Sequence, residues 1–252
     1  MNTCRRLALL LATVTLSPFL SGQNNPVLDR PVSLKALLPN IVADQKNIWT
    51  FPTRLNKKKN WIPAAAIVGT TVALVKLDPH DAPYFRRTSS FNGFNKAFTG
   101  NATSMGMVLA PVSLYAAGLA VGDSKMKSTA LLAGEAVVGS EILATVMKIA
   151  SRRARPAALP LNGSFSNTWF ENKGPALRAA GSFPSGHTIA AFSVATIVAR
   201  RYGNHKWVPY VSYGMAALVG FSRVSLSAHF ISDVFAGGAL GYSVSRFAVL
   251  RQ

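Results

Sequence analysis

The chain has 252 residues, 49% of them hydrophobic, and carries 27 Lys and Arg against 9 Asp and Glu, a formal charge of +18. That length and apolar content suit one substantial core, with no linker dividing two catalytic domains. Such a charge draws in anions and acidic lipid head groups, whereas the scatter of the basic residues, with no aromatic-interleaved stripe and no nucleic-acid module, argues against nucleic acid as a partner.

In chain order, residues 1–22 have the layout of an export signal: Arg5 and Arg6, the apolar run Leu7 to Leu20, then Ser21 and Gly22. Cleavage there removes two arginines, leaving 18 − 2 = +16, and takes away Cys4, the one cysteine of the chain. The mature chain then forms no disulfide, and a lipid anchor would need a cysteine at the cleavage point, where there is none. Residues 23–60, with Pro26, Pro31, Pro39 and Pro52, read as an extended leader with a short helix near Leu34 to Leu38. Lys57 to Lys59 form a solvated or lipid-facing patch.

Residues 61–252 form the expected catalytic domain. Helical periodicity centres on 62–76, 103–121, 129–149, 187–201, 207–222 and 228–249, without convincing alternating strands, so the fold class is all-α, a bundle of about six core helices. Ala157 to Ser182 is a long turn-rich connection, either a lid or substrate rim or a floppy connector. Thr103 to Val121 holds nineteen uncharged residues and qualifies by length as a membrane span, while Glu135 and Glu141 are costly in hydrocarbon unless they face the bundle interior. The uncharged stretches favour membrane embedding; a soluble exported bundle is the alternative. With a cleaved signal, the 62–76 helix lying against the bilayer and five helices spanning, Lys125, Lys127, Arg200, Arg201 and Arg251 fall inside and the chemistry described next faces outward, in the periplasm or cell envelope; six spans with an uncleaved N-terminus give the same sides.

Three islands carry that chemistry. Lys148 and Arg155 are seven apart; if the helix runs through Ala154 they share one stripe, roughly 10 Å apart, with Pro156 ending it. A guanidinium fork and a compact ammonium together clamp a phosphoryl group. In Pro184-Ser185-Gly186-His187, Ser185 is an N-cap and Gly186 lets free N–H groups at the helix start face an anion, with His187 beside it. Finally, His229 and Asp233 are four apart and expected on one helical face, the carboxylate fixing the tautomer, while Arg223 enters from a preceding loop as a third cation. Each island alone reads as a solvated helix end, an ordinary turn or a structural hydrogen bond. Their order and joint presence point to one site.

With these residues in place, the chain resembles the type 2 phosphatidic acid phosphatase (PAP2) and vanadium haloperoxidase superfamily, whose signature is matched at Lys148, Arg155, Pro156, Pro184 to His187, Ser222, Arg223, His229 and Asp233. The resemblance covers roughly residues 100–250. It implies His229 as a nucleophile forming a phosphohistidine, Asp233 orienting it, and His187 as general acid and then base. It also implies Lys148, Arg155, Arg223 and the Ser185-Gly186 backbone as stabilisers of the phosphoryl oxygens. No metal or cofactor is expected, since cations do the neutralising and His80 and His205 stand apart from paired carboxylates. The implied function is a metal-independent phosphatase acting on phosphate monoesters or lipid (di)phosphates outside the cytoplasm. The alternatives are a vanadate-dependent haloperoxidase, with vanadate as cofactor in the same cage, and a non-enzymatic basic envelope protein binding anionic lipids. The expected partner is a phosphorylated lipid or small phosphate ester, and nothing in the sequence sets the oligomeric state.

Overall fold

The structure, a computed structural model, describes residues 30–54, 61–173 and 181–250. The export signal, Cys4, Lys57 to Lys59, Gly174-Pro175 and Arg251 lie outside the described residues. Among the described residues eight α-helices follow one another: α1 (Leu37–Trp49), α2 (Trp61–Arg87), α3 (Asn92–Ala97), α4 (Gly100–Ala120), α5 (Ser124–Ser151), α6 (Gly186–Arg201), α7 (Trp207–Ser225) and α8 (Ile231–Val244), the last continued by one π-helical turn, Ser245–Val249. No strand occurs among the described residues. The all-α expectation therefore stands.

Helix α6 is the centre of the bundle and packs on α5, α7 and α8. Its Ile197 meets Leu132, Ala133 and Ala136 of α5 and Val244 of α8, and its Ala191, Ala195 and Ala199 meet Tyr213 and Ala216 of α7. Small residues make the α6–α8 approach close. A Cβ on Gly241 would stand 2.3 Å from the Ile189 carbonyl oxygen, so only glycine fits at that crossing. Local capping agrees with the boundaries: Thr99 accepts from Ala102 N at the start of α4, and Asp123 from Lys125 N and Met126 N at the start of α5.

Several expected boundaries move. The segment read as an extended leader carries α1, which turns its polar face inward: Asn40 bonds Glu135 and Gln45 bonds the Gly139 carbonyl, while Arg30 bridges Asp44 at 2.8 Å and Glu135 at 2.6 Å. Buried ion pairing, invisible to an apolar-periodicity reading, docks this helix on α5. Helix α2 runs to Arg87 and not to 76, with Pro79 and Pro83 inside it, because its last turns bury Asp78 and Ala82 against the α8 end of the bundle. The short helix α3 was not expected. Three helices, Trp61–Arg87, Gly100–Ala120 and the one beginning at Ser124, are long and apolar enough to cross a membrane.

Candidate active site

The site lies at one end of the bundle, where the C-terminus of α5, the N-terminus of α6, the last turn of α7 and the start of α8 meet. Helix α5 ends at Ser151 with Arg152 in the left-handed region (φ 43°), its N–H returning to the Lys148 carbonyl. Lys148 and Arg155 therefore do not share a helical stripe as expected. From Arg153 to Arg155 the chain leaves the helix, held by Ala154 N to Thr168 O (2.7 Å) and Ser182 N to Arg153 O (2.7 Å), before a short 3-10 turn at Pro156–Ala158. Arg155, extended at φ −85° and ψ 146°, swings its charge toward Lys148, Arg223, His229 and Asp233.

Gly186 begins α6 with Ser185 at the N-cap position, but the Ser185 side chain pairs with the Thr188 hydroxyl (2.8 Å) and makes no cap bond. Its N–H is also engaged, donating to the Asp233 carbonyl at 3.0 Å, which ties α6 to α8. Ser185 thus braces the turn, and the anion-facing N–H groups are those of the first helical turn, which have no partner within the helix. A Cβ at Gly186 would lie 2.6 Å from Lys148 Nζ and 3.2 Å from both Glu141 oxygens. The glycine is what lets this ammonium reach the helix start.

Nε2 of His187 is 2.8 Å from Ser104 Oγ and 3.2 Å from the Gly100 carbonyl, both on α4. Burial, the charge of Arg223, and further that of His229 and Lys148 push its pKa down to about 4, against the Gly100 bond, which raises it. Arg223 comes from α7 itself and not from a loop; Nη2 donates to the Phe98 carbonyl and to Ser222 Oγ.

His229 precedes α8 and is therefore not on a shared helical face with Asp233. Its backbone N–H donates to the Arg223 carbonyl (3.1 Å), and Nδ1 donates to the Ser182 carbonyl at 2.7 Å. Asp233 Oδ2 is farther, 3.7 Å from Nδ1. The proton on Nδ1 leaves Nε2 with its lone pair. Burial holds the His229 pKa below its ordinary value, aided by Arg155 and Lys148 and opposed by Asp233, so the ring is neutral at pH 7. Burial works against the charge of Asp233, yet the His229 ring, Arg153 and Ser182 hold its carboxyl below the usual range. Its oxygens accept from Arg153 Nη1 (2.6 Å), Ser182 Oγ (2.5 Å) and Phe230 N (2.9 Å).

The eight residues named from the sequence thus converge: His187 and His229 act on each other electrostatically, and Lys148 on both. Four participants were missed. Ser104 and Phe98 lie upstream of any motif, the Ser182 carbonyl carries no side-chain signal, and Arg153 hides beside Arg155. The connection from Ala157 to Ser182 is anchored where it is described: Phe165 and Thr168 are buried, and Phe170 N and Asn172 N donate to the Ser151 and Arg152 carbonyls.

The PAP2 superfamily matches residues 129–252. Lipid A 1-phosphatase of Rhizobium etli is 40% identical over 108 residues, 42% of this chain and 42% of that protein. Phosphatidylglycerophosphatase B of Bacillus subtilis is 41% identical over 68 residues, 24% of this chain and 34% of that protein. The chain spans less than half the length of these relatives. The crystal structure of the transmembrane PAP2-type phosphatidylglycerolphosphate phosphatase of Bacillus subtilis aligns over 85% of this chain and 92% of that one, at 19% identity and a TM-score of 0.44.

Proposed function

From membership of the PAP2 superfamily, to which residues 129–252 of this chain belong, we propose that the protein is a metal-independent phosphatase of lipid phosphates, working through a phosphohistidine on the extracytoplasmic side. The observation that carries this reading is the convergence of Lys148, Arg155, Arg223 and the start of α6 on the neutral, Nδ1-protonated ring of His229.

The three cations and the first-turn N–H groups hold the phosphoryl oxygens and neutralise charge as it develops. Nε2 of His229 attacks phosphorus, the bond to the leaving oxygen breaks, and His187 delivers a proton to that oxygen, releasing an alcohol. His187 then accepts a proton from water, the resulting hydroxide oxygen attacks the phosphohistidine, the P–N bond breaks, and phosphate and free His229 return. Ser182 and Asp233 stabilise the imidazolium character that arises meanwhile.

Three apolar helices and the names of the relatives support a lipid substrate. Sidedness is supported by charge. Lys125 and Lys127 start α5, about 30–35 Å along the helix from Lys148, and Arg201 bonds Ser128 there, so the basic collar lies at the end opposite the cage. The positive-inside tendency then turns the cage outward.

The test is hydrolysis of phosphatidic acid, phosphatidylglycerol phosphate, undecaprenyl diphosphate and an aryl phosphate by wild type and His229→Ala in membrane and soluble fractions. Turnover and acid-labile phosphoryl-enzyme are expected only in wild type. Unchanged activity in a folded His229→Ala protein overturns the proposal, and halogenation of a dye dependent on added vanadate and peroxide would replace it.

A further inference from the structure

Helix α2 reaches the site from outside the segment that matches the family, and it brings a carboxylate with no part in the chemistry above. Asp78, 1% exposed, accepts from Arg153 Nη2 (2.7 Å), from Ser232 N (3.2 Å) and from Ser232 Oγ (2.5 Å). Arg153, also 1% exposed, uses Nη1 for Asp233 (2.6 Å) and Ser232 Oγ (2.7 Å) and Nε for Thr168 (3.1 Å). Its guanidinium lies over the Phe230 ring at 4.0 Å and the Trp169 ring at 4.7 Å. The guanidinium is thus a planar strut with a carboxylate at each end, fixed in plane by its aromatic neighbours.

The charge count has a consequence for His229. A buried Arg153–Asp233 pair alone would be neutral, and Asp233 would offer the imidazole little net charge. With Asp78 also ionised, on the far side of the guanidinium at 2.7 Å, the group of three carries −1, and the end of it that faces His229 is Asp233, 3.7 Å away. In a water-poor interior that surplus charge acts with little screening. The position of the carboxylate is fixed by the same bonds: Ser232, next to Asp233 in the chain, is bonded by Asp78 through both backbone and hydroxyl.

We propose that Asp78 and Arg153 are positioning residues for the reaction: Asp78 offsets the charge of Arg153 so that Asp233 keeps its negative charge for the ring of His229, and together they set where that carboxylate stands. The inference rests on the reading of His229 as the nucleophile, and neither residue touches the phosphoryl group. Other charged groups also act on His229, namely Lys148 of α5 and Arg155 of the following connection; His187 of α6 feels both the His229 ring and Arg223 of α7, and Asp81 of α2 lines a small cavity with Asp78 and His229. These stay the same when only the strut is altered.

The test uses two charge-changing variants of the full-length protein with opposite expectations. Asp78→Asn keeps shape and hydrogen-bonding capacity but takes the group from −1 to 0; Arg153→Gln takes it from −1 to −2. Histidine NMR titration of His229 in detergent is expected to move its midpoint down by about one unit, tenfold in proton affinity, in Asp78→Asn, and up in Arg153→Gln. In lipid phosphate hydrolysis Asp78→Asn should lower kcat at least tenfold with KM within about threefold, since substrate contacts are intact. A purely structural strut would reduce the yield of folded protein in both variants without shifting the midpoint in opposite directions. A folded variant whose His229 titrates as in wild type overturns the proposal, and where one variant fails to fold the other alone decides. If wild type hydrolyses no phosphate ester, the phosphatase reading fails while the titration still decides the strut.

Discussion

His187 sits where its proton is most opposed, yet the proposed chemistry asks it to donate one. With its pKa at about 4 beside Arg223 and Lys148, it is neutral at pH 7. A phosphate monoester loses its second proton near about pH 6, so one proton shared between enzyme and substrate can ride in on the monoanion and pass to His187 once the bound anion offsets Arg223 and Lys148. We expect kcat/KM to be highest between about pH 4 and 6 and to fall about tenfold per unit above that, because the protonated pair vanishes with the substrate monoanion. A pH–rate profile flat to pH 8 would contradict it. The His187 midpoint should also rise when orthovanadate or phosphate is added, which histidine NMR would follow. Linkage has a definite sign here. The folded-state value lies below that of the unfolded chain, so the stability it contributes is present above about pH 6.5 and is lost as pH falls toward 4. The tie to α4 through Ser104 and Gly100 was not legible, because hydroxyl and carbonyl partners 83 and 87 residues away leave no spacing signal in a single sequence.

At the scale of elements, the joint of α5, α6 and α8 shows two glycines with different duties. A methyl group at Gly241 would press on the Ile189 backbone carbonyl, which can yield only by moving a helix; Gly241→Ala should cost about 1–3 kcal/mol and lower the thermal midpoint in detergent. A methyl group at Gly186 meets only the ends of two flexible side chains, Lys148 and Glu141. Gly186→Ala should therefore melt near wild type but lose at least tenfold in kcat/KM as Lys148 is pushed from the phosphoryl position, since removing one charge-stabilising donor costs about 10²–10³ in rate. Equal loss of stability in both variants would refute the distinction. The start of α6 was legible because Pro-Ser-Gly-His combines a turn signal with an apolar helical run. The end of α5 was not. Arg152 closes that helix in a left-handed cap that glycine usually supplies, and the extended chain beyond is dictated by pairing with Thr168 and Ser182 across the connection. Arg155 reached the predicted neighbourhood by a different backbone route, and the position of Arg223 in α7 likewise came from a helix that outran its apolar pattern. Motif order specified which residues meet; tertiary pairing decided how.

For the whole molecule, the question is why so apolar a bundle has so little of two helices buried. Val68 and Val72 of α2 and Met105, Val108, Leu109 and Val112 of α4 are each more than half exposed, and these helices are among the three that can cross a membrane by length and composition. A water-soluble monomer rarely leaves contiguous apolar surface of more than a few hundred Å² uncovered. Polar residues obey the converse rule: Asp78, Glu135 and Arg153 all turn inward and are paired, as charges at membrane depth must be. Helices outside the matched segment thus do two jobs, presenting an apolar exterior and supplying Asp78, the Phe98 carbonyl and Ser104 to the site. This arrangement predicts that the protein sediments with membranes, resists extraction by alkaline carbonate and dissolves only with detergent. It also predicts that Val108→Asp, about 2.5–3.5 kcal/mol unfavourable near the middle of a span, reduces the membrane-inserted fraction. Ser222→Ala, at a buried hydroxyl that accepts from Arg223, carries no such insertion penalty and serves as the comparison for membrane insertion alone. Release of wild type by carbonate, with Val108→Asp behaving identically, would mean that the exposed face of α4 meets water and not lipid.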